Sequence, residues 1–330
     1  MNRAILSVTN QGKAISDKLY ENLNDNPLIL NVTQYHKNII KTVDSIFDKY
    51  DCIIGIMASG IMIRSIAPHV TSKLSDPAVL LIDDNANFVI SLLSGHFGGA
   101  NDLTVKIADI LNSTPVVTTS TDVNNKIGID SIAKRYYCNL ENPKNIKHVN
   151  KALVNNNKVD LYLPEKYSFI LSDNIKDSYN VFIDDEYDFI TAIVDDYAVI
   201  LKPKQMVMGI GARRDIATQK VENAILTACD ILEIPVSRID YFATADVKAN
   251  EKGILENVSK YDKDLKIISM DEIKSYQNDE CSKSDFVMKQ FGVKGVCEPC
   301  CLIANGIASH LIFKKTAYDG VTIAVSLNEE

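Results

Sequence analysis

Short apolar runs alternate with stretches in which apolar residues recur every three or four positions, and this alternation fills the first third of the chain. Ala4 to Val8 is short, apolar and β-capable, and Ile15, Leu19 and Leu23 follow at helical spacing. Leu28 to Val32 returns to strand. Ile39, Val43 and Ile46 to Phe47 form a second helical stripe, and Cys52 to Met57 is the next buried strand. Ala78 to Ile82 and Phe88 to Leu92 flank Asp83-Asp84-Asn85-Ala86-Asn87, which has the residues of a hairpin turn. From Ala100, the residues Leu103, Ile107 and Leu111 mark one helix face, and Val116 to Val117 starts a last strand. Apolar strands separated by amphipathic helices predict a largely parallel sheet covered on both faces. Residues 1–128 are therefore expected to form a Rossmann-like three-layer α/β domain.

Glycine then disappears: none occurs between Gly128 and Gly209, whereas Gly55, Gly60, Gly95, Gly98 and Gly99 crowd the region before. With the Asn155-Asn156-Asn157 stretch, this shift predicts a small α/β middle domain over 129–203. Its strand-like runs are Val159 to Leu163, Tyr179 to Ile183 and Ala198 to Leu201. It shows no catalytic constellation and reads as a linker or lid. Pro203 marks the next boundary. Met206 to Ile210 then enters Gly211-Ala212-Arg213-Arg214, and Ala217, Val221, Ala224, Ala228 and Leu232 form a helical stripe. Leu265 to Ile268, Leu311 to Phe313 and Val321 to Val325 add strands, so 204–330 is expected to be a second compact α/β domain.

Composition narrows the function classes. The 330 residues predict about two domains, or three small ones. Hydrophobic residues at 46% and charged residues at 24% are globular proportions, which exclude a disordered or fibrous chain. The net charge of −8 argues against a general nucleic-acid binder. No apolar run approaches the ~20 residues that cross a bilayer, and the start holds no signal-peptide core. Seven cysteines are an odd, uneven set in a long chain, which suits a reducing, cytoplasmic setting better than a disulfide framework.

Three loops carry candidate chemistry. In Gly55-Ile56-Met57-Ala58-Ser59-Gly60-Ile61-Met62-Ile63-Arg64, Ser59 is placed to cap a short helix whose amides would attract an anion, although from local pattern alone a plain strand-to-helix turn fits better. The spacing is neither a Walker loop nor a dinucleotide fingerprint. Ser94-Gly95-His96-Phe97-Gly98-Gly99-Ala100-Asn101 sets one histidine among glycines that permit close backbone approach to a ligand. A satisfied structural histidine is the competing explanation. Thr118-Thr119-Ser120-Thr121-Asp122 follows a strand. In open α/β sheets ligands collect outside the carboxyl ends of strands, so three such polar loops favour a cleft there. Cys297, Cys300 and Cys301, with Cys281, invite a metal reading. Adjacent Cys300 and Cys301 diverge on a helix, however, and small apolar packing is expected instead.

The segments Gly55 to Gly60, Asp76-Pro77-Ala78-Val79, Phe88 to Asn101 and Pro115 to Asp122 resemble the CbiG family of anaerobic cobalamin biosynthesis, the cobalt-precorrin-5A hydrolases. The last domain looks like the CobE-type module through Gly209 to Arg214, Gly295-Val296-Cys297-Glu298 and Gly320 to Val325. Many members have cysteine where this chain has Ala212, and small residues where it has Cys300 and Cys301. The resemblance implies hydrolysis of cobalt-precorrin-5A to cobalt-precorrin-5B. A lactone between the ring A acetate and the methylated meso carbon opens, and that carbon leaves as acetaldehyde. The cobalt comes with the corrinoid substrate, so no cofactor or metal of the enzyme's own is expected. Transient contact with other enzymes of the pathway is allowed, and neither nucleic acid nor membrane is involved.

Such a reaction needs groups facing peripheral carboxylates, a proton handler and donors for developing oxygen charge. His96, Asp84 and Asp122 are the candidate catalytic residues. Substrate binding is expected at Ser59, Gly60, Arg64, Ser94, Gly95, Gly98, Gly99, Asn101, Thr119, Ser120, Thr121, Arg213, Glu298 and Thr322. Helix-start amides after Gly99 would favour a neutral His96 ring able to take a proton. The alternatives are a non-catalytic carrier of a corrinoid intermediate and a nucleotide-dependent enzyme, the latter disfavoured by the missing Walker lysine.

Overall fold

The computed structural model describes residues 1–72, 75–119, 126–282, 288, 292–293 and 295–329. The chain divides into two compact units, Met1–Pro203 and Lys204–Glu330. The first unit begins with a six-stranded sheet in the order β2-β1-β3-β4-β5-β6. Its strands are β1 (Asn2–Ser7), β2 (Asn31–His36), β3 (Cys52–Ile56), β4 (Ala78–Ile82), β5 (Phe88–Leu93) and β6 (Thr114–Val116).

Alternation along these strands builds two cores. Ile5, Ile54, Ile56, Leu80 and Ile82 point to one face and pack under Leu19, Leu23, Ile107 and Leu111. These belong to helices α1 (Asn10–Asn24) and α4 (Ala100–Leu111). Their neighbours Ala4, Leu6, Ile53, Val79 and Leu81 point to the other face, against Ile39, Val43, Met62 and Ile66. Those residues lie on α2 (Ile39–Ile46) and α3 (Ser59–Ile66). Period-two strands buried on both sides thus give the expected three-layer arrangement. Strand β2 starts three residues later than its apolar run predicts. It is an edge strand, and only Val32 within it is buried.

The sheet is less parallel than expected. Strands β2, β1, β3 and β4 run parallel, but β5 returns antiparallel beside β4, with Val79 opposite Leu93 and Ile82 opposite Val89. β6 follows β5 in parallel. The hairpin turn was legible; its consequence is that the loops after β5 and β6 emerge at the opposite sheet end from those after β1, β3 and β4.

The rest of the first unit forms a five-stranded sheet, β7-β11-β10-β8-β9. Its strands are β7 (Cys138–Glu141), β8 (Asp160–Leu163), β9 (Asn180–Ile183), β10 (Ile190–Val194) and β11 (Tyr197–Pro203). Helices α5 (Ile129–Arg135), α6 (Ile146–Val154) and α7 (Asp173–Ser178) accompany it. Sequence patterning misses the five-residue β10 and β7, a four-residue strand in which Asn139 and Glu141 interrupt the apolar positions.

The second unit holds β12 (Met206–Ala212), β13 (Tyr241–Ala245), β14 (Asp264–Ile268), β15 (Ser309–Tyr318) and β16 (Val321–Asn328) in the order β14-β13-β12-β16-β15. Its helices are α8 (Thr218–Leu232), α9 (Lys252–Lys260), α10 (Met270–Ser275) and α11 (Cys297–Asn305). α11 lies directly on β12: a Cβ at Gly209 would stand 2.0 Å from the Cys297 carbonyl oxygen. Gly209 pairs with Ala243 and Ala324, so small residues form the trough that admits the helix.

Candidate functional site

Two polar groups stand at the two ends of the first sheet. At the carboxyl ends of β1, β3 and β4 lie Ser59, Gly60, Arg64 and Asp84. Thr9 caps α1 by accepting from the Gly12 amide at 2.8 Å, and its hydroxyl donates to Asp84. Asp84 therefore ties the β4–β5 turn to the start of α1, where negative charge is favoured. Ser59 does not cap α3; the capping position is Ala58, without a side-chain bond, and Ser59 is the first helical residue. Arg64 folds back and donates to the Gly60 carbonyl at 2.9 Å.

The other end carries the glycine loop. Ser94 turns the chain with φ 56° and Gly99 with φ 84°, a left-handed conformation that glycine adopts freely and serine does not. The loop packs on itself. A Cβ at Gly95 would lie 2.6 Å from Asn101 Oδ1, and one at Gly98 would lie 2.5 Å from Ser94 Cβ. These glycines give room to the loop's own atoms before any ligand's. Asn101 accepts from Ser91 Oγ at 2.6 Å and donates to Thr119 Oγ1 at 3.0 Å, joining the loop to the segment after β6. The buried Ser94 hydroxyl has no hydrogen-bond partner among the described residues.

The amides at the start of α4 are not open to an anion, contrary to expectation. Gly99 N–H donates to His96 O, Ala100 N–H to Ser94 O and Asn101 N–H to Gly95 O, at 2.9, 3.2 and 3.0 Å. The tight loop turns its carbonyls onto these donors. What faces the His96 ring is a carboxyl group: Nδ1 lies 3.6 Å from Asp130 Oδ2, with the two side chains 14% and 2% exposed. Asp130 sits in the first turn of α5. Its other oxygen accepts from Asn150 Nδ2 at 2.9 Å, and Asn150 Oδ1 accepts from the Ile129 amide at 3.0 Å. Lys134, one turn further along α5, brings its Cε to 3.5 Å from the position of a Gly99 Cβ. No motif or spacing signals Asp130, Asn150 or Lys134, because an acidic residue opening a helix is commonplace.

His96 and Asp84 are not brought together. They stand at opposite ends of β5, a strand of roughly 17–20 Å. The expected single cleft divides in two because β5 reverses direction. Ser120, Thr121 and Asp122 lie outside the described residues.

In the second unit, Arg213 and Thr322 flank the same sheet end. The Arg213 amide donates to Gly320 O at 2.9 Å, and Thr322 Oγ1 to Gly211 O at 3.4 Å. Glu298 is turned inward and fully buried. One carboxylate oxygen accepts from Ser282 N and Oγ, both at 2.8 Å, and the other from Lys315 N at 2.9 Å. Three internal donors satisfy it, so in this structure it secures the chain.

Six of the seven cysteines are buried. Burial pushes the Cys52 thiol up to about 11 and those of Cys229 and Cys297 up to about 12. Cys300 and Cys301 are likewise raised by burial and by neighbouring thiols. Among the described residues no group of three or more His, Cys, Asp or Glu side chains is placed to hold a metal ion. Thiolate is the reactive form. Iodoacetamide at pH 8, followed by peptide mass spectrometry, is therefore expected to label half-buried Cys281 first and the other six only after unfolding. Equal labelling of Cys300 or Cys301 in folded protein contradicts the packing role.

Three successive sheets, the first sandwiched between helices and ending in a histidine-bearing glycine loop, define a multidomain α/β protein. The family description "Cobalamin synthesis G N-terminal" matches residues 41–122, "Cobalamin biosynthesis central region" residues 127–203 and "Cobalamin synthesis G C-terminus" residues 206–326. The chain belongs to the cobalamin synthesis G family. It is 33% identical to a protein described as a probable cobalt-precorrin-5A hydrolase of Methanocaldococcus jannaschii, over 98% of both chains. It is 30% identical to cobalt-precorrin-5A hydrolase of Priestia megaterium, over 90% of this chain and 84% of that one. A solved cobalamin biosynthesis protein G homolog from Sulfolobus solfataricus superposes with TM-score 0.60 at 26% identity, covering 99% of this chain and 97% of the other.

Proposed function

We propose that this chain hydrolyses cobalt-precorrin-5A to cobalt-precorrin-5B with release of acetaldehyde. The observation that carries the reading is the end-to-end match to proteins bearing that activity in their names. Water adds to the lactone carbonyl and the ester bond breaks, leaving the ring A acetate free and a hydroxyl on the methylated carbon. That hydroxyl loses its proton and becomes a carbonyl as the carbon–carbon bond to the macrocycle breaks. The macrocycle keeps the electron pair and takes a proton. Water is the only co-reactant in this balance, and the cobalt is part of the substrate. The natural setting is the cytoplasm, whose reducing conditions suit a chain with seven cysteines. No helix among the described residues is long and apolar enough to cross a membrane.

We assign the proton transfer to His96. Histidine is the residue type suited to exchanging a proton near neutrality, and His96 is the one set in the glycine loop. Ser94, Gly95, Gly98, Gly99, Asn101 and Thr119 shape that end, and Lys134 adds positive charge there for the substrate's carboxylates. Anaerobic incubation with cobalt-precorrin-5A, assayed for acetaldehyde and the shortened corrinoid, tests the reading. Tight binding without turnover would make the protein a carrier instead.

Asp84 belongs to the other end and is tied to Thr9. Asp84→Asn is accordingly expected to leave acetaldehyde release within about threefold of wild type. It should lower stability by about 0.3–1 kcal/mol through the lost charge near the start of α1. A loss of turnover as large as that of a His96 variant would move the chemistry to the Asp84 end.

A further inference from the structure

We propose that Asp130 is the positioning residue for His96, keeping a proton on Nδ1 so that Nε2 presents its lone pair as the base. This rests on the assignment of proton transfer to His96. The sequence separates the two residues by the rest of the glycine loop, a helix and a strand, and the fold brings them to 3.6 Å. That distance is an electrostatic contact slightly beyond hydrogen-bond reach. Catalytic contacts are commonly loose before substrate binds and tighten in the complex.

The orientation of the carboxylate is held from behind. Asn150 Oδ1 accepts from the Ile129 amide, which leaves its Nδ2 to donate to Asp130 Oδ1. Gly128 permits the wrap: a Cβ there would lie 2.7 Å from Asp130 Oδ1. Oδ2 is the oxygen directed at the ring, and an ionised carboxylate only accepts, so it selects the tautomer with hydrogen on Nδ1. A buried carboxylate that orients an imidazole through Nδ1 and leaves Nε2 to move protons is a general hydrolase device. Here the carboxylate comes from the segment following the first sheet, so the middle region contributes to the site instead of only linking its neighbours.

The same network determines what an asparagine does. In Asp130→Asn the amide oxygen must stay toward Asn150 Nδ2, which turns the new amide nitrogen toward His96 Nδ1. That nitrogen donates, so the ring must offer its lone pair at Nδ1 and carry hydrogen on Nε2. Shape is kept and the base is lost.

The test has a spectroscopic arm and a kinetic arm. Two-bond proton–nitrogen correlation spectra of full-length protein, with His96 assigned by comparison with His96→Gln, are recorded at a pH where the ring is neutral. The expected result is a protonated Nδ1 and an unprotonated Nε2 in wild type, reversed in Asp130→Asn. In acetaldehyde assays Asp130→Asn should lower kcat at least ~100-fold with KM within about threefold, since wrong-tautomer substitutions cost hydrolases up to ~10⁴. Added to His96→Gln, it should change turnover by less than about threefold. A wild-type ring protonated on Nε2 overturns the proposal. So does an Asp130→Asn loss that is as large in the His96→Gln background, which marks a structural latch. If wild type releases no acetaldehyde, the activity reading fails, and the spectrum alone decides whether Asp130 sets the tautomer.

Discussion

His96→Gln is expected to retain the fold and most substrate affinity while lowering acetaldehyde release at least ~100-fold. Glutamine keeps a polar side chain of similar reach but cannot exchange a proton near neutrality. Positioned acid–base catalysis is typically worth ~100 to 10,000-fold. The loop does not depend on the ring for its shape. Its turns are held by Gly99 N–H to His96 O and Ala100 N–H to Ser94 O, both backbone bonds, and by Asn101 to Thr119. Glutamine can still donate toward the Asp130 carboxylate from the same enclosed position, so the stability cost should be small. Measured under saturating substrate, near-normal release by folded His96→Gln protein would remove the catalytic assignment. Attention would then pass to Lys134 and Asp122.

Gly209→Ala is expected to be the most destabilising single methyl in the second unit. The backbone at Gly209 is ordinary extended strand, so the penalty is one of space and not of conformation. The added carbon would stand 2.0 Å from the Cys297 carbonyl oxygen, 2.9 Å from its carbon and 3.2 Å from Cys301 Cβ. A flexible side chain could swing away, but a helix backbone anchored by buried Cys300, Cys301 and Leu302 cannot. Overpacking in a core costs about 1–3 kcal/mol and more where backbone must move, so a loss of at least ~3 kcal/mol is expected. For a unit of this size that corresponds to a fall of roughly 10 °C or more in the melting of Lys204–Glu330, read by calorimetry on the full chain. An unchanged melting profile would mean that α11 does not sit on β12 as described.

Much of the fold was legible because period and length carry it. Ile53 to Ile56 and Ala78 to Ile82 are continuous apolar runs, which only a strand covered on both faces can use. The stripes of Leu19 with Leu23 and Ile107 with Leu111 announced the helices that cover one of those faces. Edge and short strands were harder. β2 begins at Asn31 because an edge strand needs few apolar residues, and β7 is a four-residue edge strand with Asn139 and Glu141 among its positions.

The candidate site was legible only in part. Three glycines around His96 pointed to that loop without contact information. Whether they opened a pocket or packed the loop on itself could not be read from the chain, since both use the missing Cβ in the same way. The amides beyond Gly99 were expected to meet a ligand, yet the carbonyls of Ser94, Gly95 and His96 reach them first. Glu298, expected among the substrate-binding residues, is enclosed by Ser282 and Lys315.

The chain alone determines that residues 1–128 alternate strands and helices, that Asp83 to Asn87 form a turn, and that a histidine stands among glycines. These are local facts, set by periodicity and by residues with special backbone freedom. Only the tertiary structure decides that β5 runs against β4, which sends Asp84 and His96 to opposite sheet ends. It alone brings Asp130 to His96 across 34 residues, because strand direction and helix docking are fixed by burial of faces distant in sequence and leave no local signature.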